Sequence, residues 1–413
     1  MAAMTDPATP NISITARGLV SALGYGLAAT ADALAAGRSG LVACDFAGQR
    51  RGFIGRVEGV ERHRLPVRLA AFECRNHRLA HLALDADGFA AAVGAAARRH
   101  GPGRVAVVLG TSTSGVLASE EAYRARDAVS GALPDWLDFE HTHDLGALPR
   151  FVRAALGLAG PAFTVSTACA SSAQAVGLGT RLIAAGIADA AVVGGADSLC
   201  GLTLAGFAAL DLIAAGPCRP GDAARDGLSI GEAAGFLLLE RAEAAAPDAF
   251  ALLGWGASSD GYHLSAPRPD GAGAALAMRA ALDAAGLAPG AIDWINLHGT
   301  GTPANDAAED QAVFAVFADA VPASSTKAYT GHTLGAAGIV EAILATLAIE
   351  HGLVPAPLNL DRPDPSFRVP PPPAEPGRPG HAQRERPVRR VLSNSFGFGG
   401  SNCCLVLGRP DSA

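Results

Sequence analysis

The sequence predicts an α/β protein made of two similar halves, and three observations point there. Short aliphatic or β-branched runs alternate with alanine-rich stretches along most of the 413 residues. The runs are continuously apolar rather than alternating, as suits strands buried on both faces. One pattern of strand, hydroxyl-rich turn, small-residue helix and glycine stop also occurs twice, half a chain apart.

Taken in order, strands are expected at Arg104–Gly110, Phe163–Ser166, Ala190–Gly194, Gly235–Glu240, Trp294–Leu297, Val391–Asn394 and Cys404–Leu407. The first copy of the repeat leads from Val165 through Ser166, Thr167, Ala168 and Cys169 into a helix ending at Gly186. The second leads from Ser324, Ser325, Thr326 and Lys327 through Gly331 and His332 into a helix ending near Gly352. Small residues on both helices would let them pack closely. The seam falls near Ala244–Asp248, which gives halves at 1–244 and 245–413. Val369–Gly380, with its run of prolines, is expected to be an exposed polyproline loop.

Composition excludes several classes of function. A 49% apolar and 17% charged chain is not disordered. A net charge of −7 argues against nucleic-acid binding. The longest uncharged run, Ala154–Thr180, is broken by Pro161, glycines and hydroxyls, so no membrane span is expected. The N-terminus lacks the basic and apolar regions of a signal peptide, and seven cysteines show no metal-type pairing. Reduced thiols in a cytoplasm follow. The 32 basic residues are 31 arginines and one lysine, Lys327, which suggests a place where only a compact ammonium fits.

Cys169 lies after a strand and at the mouth of a helix, where backbone N–H groups and the helix dipole would stabilise a thiolate. His298 ends a strand and opens a turn of Gly299, Thr300, Gly301, Thr302 and Pro303. His332 sits in the second half's counterpart of the Cys169 turn. Alone, each also has a bland reading, a satisfied structural histidine or a buried inert cysteine, and the latter is the reading of Cys44, Cys200 and Cys404. Together, a thiol to hold an acyl group and two imidazoles to hold an enolate oxygen point to carbon–carbon bond formation on thioesters. His77 and His81 are spaced i,i+4 but have no evident third metal ligand, and His141 and His143 are similar.

Four stretches in fixed order, Thr164–Ser172, His298–Pro303, Lys327–Gly338 and Asn394–Asn402, resemble the β-ketoacyl-acyl carrier protein synthases, and the likeness runs from Ile14 to Leu407. The resemblance implies the thiolase fold: duplicated halves in a five-layered αβαβα sandwich, normally dimeric. It implies that Cys169 takes the acyl chain, that His298 and His332 hold the malonyl thioester during decarboxylation, and that Lys327 orients the histidines. Backbone N–H groups of Cys169 and Phe398 would form the oxyanion hole. Thr300, Thr302, Phe398 and Gly399 would contact substrate, with Phe398 as a gate. Asn296, Glu341, Ser393 and Asn394 match positions that hold a monovalent cation in some relatives. No cofactor is implied.

The implied partners are acyl carrier protein, bearing acyl or malonyl groups, and a second ketosynthase-like chain, identical or of the chain-length-factor kind. Carrier proteins are acidic, and Arg62, Arg64, Arg68, Arg75 and Arg78 form the densest basic cluster for docking one. The chain departs from the housekeeping enzymes at Gly221, Ala234, Gly110–Gly115 and the short segment Gly206–Gly216. With Ser325–Lys327 and Gly331–Gly335 these features resemble the condensing enzymes of aryl polyene clusters, and the departures are expected beside the acyl pocket and dimer contacts. Two alternatives stand beside an active synthase. A thiolase-type acyltransferase would need a second cysteine where Gly397–Gly400 stands. A non-catalytic chain-length-factor-like subunit would usually lack the active cysteine.

Overall fold

In the computed structural model, residues 12–241, 249–384 and 386–409 are described; the seam at 244–248 lies outside them. Ten strands carry the architecture: β1 (Ile12–Ser21), β2 (Val105–Gly110), β3 (Ala162–Val165), β4 (Ala190–Asp197), β5 (Ala233–Arg241), β6 (Phe250–Ser259), β7 (Trp294–Asn296), β8 (Ala323–Ser324), β9 (Arg390–Gly397) and β10 (Ser401–Gly408). Every residue of β2 and β4 is buried, which accounts for their continuously apolar sequence. All seven expected strands form. β1, β6 and β8 were not foreseen, because Arg17 and Thr15 interrupt the first, Gly254 and Gly256 the second, and the third is two residues long.

The strand order is β3-β2-β4-β5-β1 in the first half and β8-β7-β9-β10-β6 in the second. Pairing directions repeat with it: β2 is parallel to its two neighbours, as β7 is, and the β4–β5 and β9–β10 pairs are antiparallel. The two sheets join where β1 meets β6 antiparallel over Ile12–Ile14. Topology thus carries the duplication that the sequence only hints at.

Helices complete five layers. α1 (Arg75–Asp85), α2 (Phe89–His100) and α3 (Ala147–Ala155) cover the outer face of the first sheet. α4 (Ser171–Ala184) and α7 (Ala337–His351) lie between the sheets, and α5 (Ala272–Ala285) and α6 (Pro303–Phe317) cover the second. α4 and α7 meet where a Cβ on Gly338 would stand 2.7 Å from Ala173, so the small residues do permit a close crossing. The runs Arg75–His100 and Leu334–His351 are long and apolar enough to cross a membrane, yet the second is almost wholly enclosed by the two sheets. One expectation fails in part: the proline-rich segment is not all loop, because Ala374–Glu375 and Arg378–Ala382 pair as a small hairpin.

Candidate active site

The site gathers where parallel strands end. β3 runs into the Cys169 turn, in which Ala168 takes a left-handed φ of +50° to swing the chain into α4. β8, its counterpart, runs into the one-turn helix Lys327–Thr330 and then His332. β7 delivers His298, and β9 delivers Phe398.

These groups form one connected chain. Cys169 Sγ stands 3.0 Å from His332 Nε2. The His298 and His332 rings meet edge to face, their centroids 5.2 Å apart. Lys327 Nζ lies 3.3 Å from His298 Nδ1 and 2.5 Å from Glu341 Oε1. The ammonium can only donate, so His298 Nδ1 accepts and its Nε2 carries the hydrogen. His298 therefore presents a donor. Burial and the Lys327 charge hold both imidazoles well below their usual pKa, so both are neutral.

One expectation is corrected. Burial pushes the Cys169 thiol up to about 12 despite the opposing pull of Lys327. Burial outweighs the helix mouth and favours the protonated thiol, so a thiolate needs a neighbour to take the proton. His332 Nε2 is in place to take it. The Phe398 backbone N–H donates to the sulfur and favours its ionised form. Gly397 makes that approach possible, because a Cβ there would stand 2.6 Å from the Thr167 carbonyl oxygen.

A cavity of about 230 Å³ opens on Cys169, His298 and His332. Thr300 and Thr302 line it, with their hydroxyls 2.9 Å apart, and Phe207, Leu212 and Leu228 give it an apolar wall. Phe398 stands half-exposed at its mouth against Phe207, ring centroids 5.7 Å apart. Gly399 takes a φ of +82° there and donates to the Leu264 carbonyl, 2.7 Å away, but does not line the cavity.

The other expected sites divide. Arg62, Arg64 and Arg68 are exposed. Arg75 is not a surface cation: it is buried, gripped by Glu232 and by Glu61. Arg78 is largely covered and paired with Glu73. At the cation position, Glu341 Oε2 and Ser393 Oγ are buried without partners, as is Asn296 Nδ2, and Asn296 and Ser393 are register partners. Two oxygen donors without hydrogen-bond partners fit a small hard cation. Asn394 is otherwise engaged: its amide donates to Glu309 and its carbonyl accepts from Cys404.

The beta-ketoacyl synthase N-terminal domain matches residues 75–245, and the C-terminal domain matches residues 249–361. A 3-oxoacyl-[acyl-carrier-protein] synthase 2 of Vibrio cholerae is 32% identical over 96% of this chain and 99% of its own length. The chain belongs to the β-ketoacyl synthase family. The match to the Rhizobium meliloti 3-oxoacyl-[acyl-carrier-protein] synthase 2 is closer in identity, 43%, but spans only 62% of that protein's length and 61% of this chain. Among solved structures, a ketosynthase from Xenorhabdus doucetiae in complex with its chain length factor is 37% identical, with a TM-score of 0.85 over 98% of this chain and all of that one. The ishigamide ketosynthase/chain length factor is 31% identical, with a TM-score of 0.84 and coverage of 98% and 100%. The fold is thereby the family's thiolase fold.

Within this β-ketoacyl synthase framework, two buried carboxylates escaped the sequence reading. Glu309 accepts from the backbone N–H groups of His298 and Gly299, at 2.8 and 2.7 Å, and so fixes the His298 turn. Asp197, at the end of β4, accepts from the hydroxyls of Thr111, Ser112 and Thr113 and from the Gly335 N–H at 2.6 Å. It ties the 111–113 loop of one half to the turn that carries His332 in the other. Gly221, with a φ of +78°, donates to Asp306, and Ala234 lies in the sheet beside Val20. Neither residue lines the Cys169 cavity, nor does the 110–115 loop. Phe207 and Leu212 of the short 206–216 segment do line it, so that departure stands at the pocket as expected, while the others lie off its walls.

Proposed function

We propose that the protein is a condensing 3-oxoacyl-[acyl-carrier-protein] synthase that extends an acyl chain held on Cys169 by two carbons. The observation that carries this is the chain from Cys169 Sγ to His332 Nε2 at 3.0 Å, with His298 backed by Lys327 beside it. In the first half-reaction the Cys169 sulfur attacks the acyl thioester of a carrier protein. Its proton passes to His332, and the N–H groups of Cys169 and Phe398 hold the oxyanion. The carrier thiol leaves with that proton.

Malonyl-carrier protein then binds with its pantetheine against Thr300 and Thr302. The bond to the carboxylate breaks, CO₂ departs, and the electron pair moves onto the thioester oxygen, held by His298 Nε2–H and by His332 in the tautomer that carries its hydrogen on Nε2. The enolate carbon attacks the acyl-Cys169 carbonyl. The carbon–sulfur bond breaks with its electron pair going to sulfur, and the Cys169 thiolate takes a proton from solvent.

The carrier protein docks at the exposed Arg62, Arg64 and Arg68 in this proposal. A monovalent cation, held by Glu341 and Ser393 with Asn296 beside them, would offset negative charge next to Lys327. The halves 1–244 and 245–413 act as one catalytic unit in the cytoplasm, on fatty-acid, polyketide or aryl polyene chains. The partner is a second copy or a chain-length-factor-like homologue. The Xenorhabdus complex supports the latter, and among the described residues β3 has an open edge, at which Phe163 is 45% exposed.

Intact-mass spectrometry of wild type and Cys169→Ala with acyl- and malonyl-carrier protein tests this reading. A mass gain on wild type alone, then a carrier-bound product two carbons longer, is the expected result. No acylation of wild type, with or without a co-expressed chain-length-factor homologue, would overturn it.

A further inference from the structure

α1 carries a second convergence of ligating atoms, apart from the residues that line the Cys169 cavity. His81 and Asp85 stand one helical turn apart, so their side chains share a face. His63 reaches that face from the turn that follows Gly59. This turn is closed by the Arg62 and His63 N–H groups, which both donate to the Gly59 carbonyl at 3.0 and 2.9 Å. His81 Nδ1 stands 3.1 Å from His63 Nε2 and 3.0 Å from Asp85 Oδ2. All three atoms lie within 4.8 Å of one another.

Hydrogen bonding alone satisfies this arrangement poorly. If His81 Nδ1 carries a hydrogen, it can point fully at Asp85 or at His63, not both. If it carries none, its lone pair faces a carboxylate oxygen at 3.0 Å. A cation between the three atoms removes the conflict.

We propose that His63 Nε2, His81 Nδ1 and Asp85 Oδ2 form a binding site for a divalent ion of the zinc class, with water completing the coordination. Tetrahedral zinc with bonds of about 2.0–2.1 Å places its ligands roughly 3.3 Å apart, and two of the three edges already stand close to that. The donor set, two imidazoles and one carboxylate, suits zinc or cobalt rather than calcium or magnesium. Asp85, half exposed, leaves the outer side open to solvent. Glu73 and Arg78, the other charges near His63, are paired with each other.

His77, the i,i+4 partner that sequence spacing suggested, has no part in it. Its ring stacks on Phe151 at 4.7 Å, and its Nδ1 lies 2.8 Å from the Phe72 carbonyl oxygen. A bound ion would clip the 59–63 turn to α1. Glu61 of that turn already holds Arg75 at the start of the same helix.

The site can be tested on tag-free, chelator-stripped protein by titrating cobalt(II) and following its visible absorption, then competing with zinc. Cys169, His298 and His332 also converge, so the titration is run in the Cys169→Ala background. The expected result is one equivalent of four-coordinate cobalt that zinc displaces, together with a higher melting temperature on zinc addition. His63→Ala and Asp85→Asn, both at partly exposed positions and checked for fold by circular dichroism, should each weaken binding beyond the roughly tenfold that loss of an outer hydrogen-bond partner causes. Binding that survives both substitutions, or no cobalt binding by a folded Cys169→Ala protein, would overturn the proposal. Binding seen only while Cys169 is intact would place the ion at the catalytic cluster and overturn it equally.

Discussion

Lys327 shows why one residue type is required at one place. Its side chain is 1% exposed, with Glu341 on one side of the ammonium and His298 Nδ1 on the other. A compact cation with three donors reaches both, whereas a planar guanidinium would need more room than the buried pocket has. Lys327→Arg, conservative in charge, is therefore expected to lower condensation by about 10²-fold or more, the scale of a lost proton-transfer group. Acyl loading of Cys169 should persist, because His332 Nε2 reaches the sulfur without help from Lys327. Mass spectrometry separates the two half-reactions, and wild-type condensation by Lys327→Arg would refute the argument. The cysteine, the histidines and the lysine were legible because strand-end turns crowded with glycine and hydroxyls are unusual in sequence. Glu309 and Asp197 were not. Glu309 lies in an acidic helix start that reads as a solvated face, and Asp197 is recognisable only when four residues from distant segments turn their donors on it.

At the scale of elements, α1 joins surface to core, and its histidines divide between the two. His77 is buried against Phe151, where desolvation lowers its pKa to about 4. The unfolded chain binds a proton there near pH 6.5, and the folded chain only near pH 4. His77 therefore contributes stability that is present above about pH 6.5 and lost as pH falls towards 4, up to about 3 kcal/mol over the whole window. His77→Phe keeps an aromatic ring on Phe151 but gives up the bond to Phe72. It should be less stable than wild type at pH 7.5, by about 1 kcal/mol, and lose less on acidification. Urea unfolding at pH 7.5 and pH 5 measures this, and equal losses in both proteins would contradict it. The sequence showed that α1 is amphipathic enough to place these residues on a helix, but not which histidine faces inward. Arg75 was misread for the same reason: periodicity does not reveal that Glu232, 157 residues away, waits to pair with it.

At the scale of the molecule, the repeated strand order leaves the two sheet ends unequal. β8 is buried, whereas β3 pairs only with β2 among the described residues and exposes Phe163. Leu145, also exposed, lies beside this strand, its carbonyl accepting from the Thr164 hydroxyl, and Tyr123, Trp136 and Phe139 are further large exposed apolar residues of the same half. A row of unpaired backbone groups flanked by so much apolar surface is a template for another chain. The fold class was legible from the repeat, but this asymmetry was not, because it depends on which strand ends each sheet. The expected assembly is therefore a dimer built on the β3 edge, with a light-scattering mass about twice the 41.5 kDa of one chain, from this chain alone or with a chain-length-factor homologue. Phe163→Asp places a carboxylate in that contact while leaving the β2–β3 register of Val107 with Ala162 and Leu109 with Thr164 untouched. It should yield folded monomer, and a Phe163→Asp protein that remains dimeric would move the interface elsewhere.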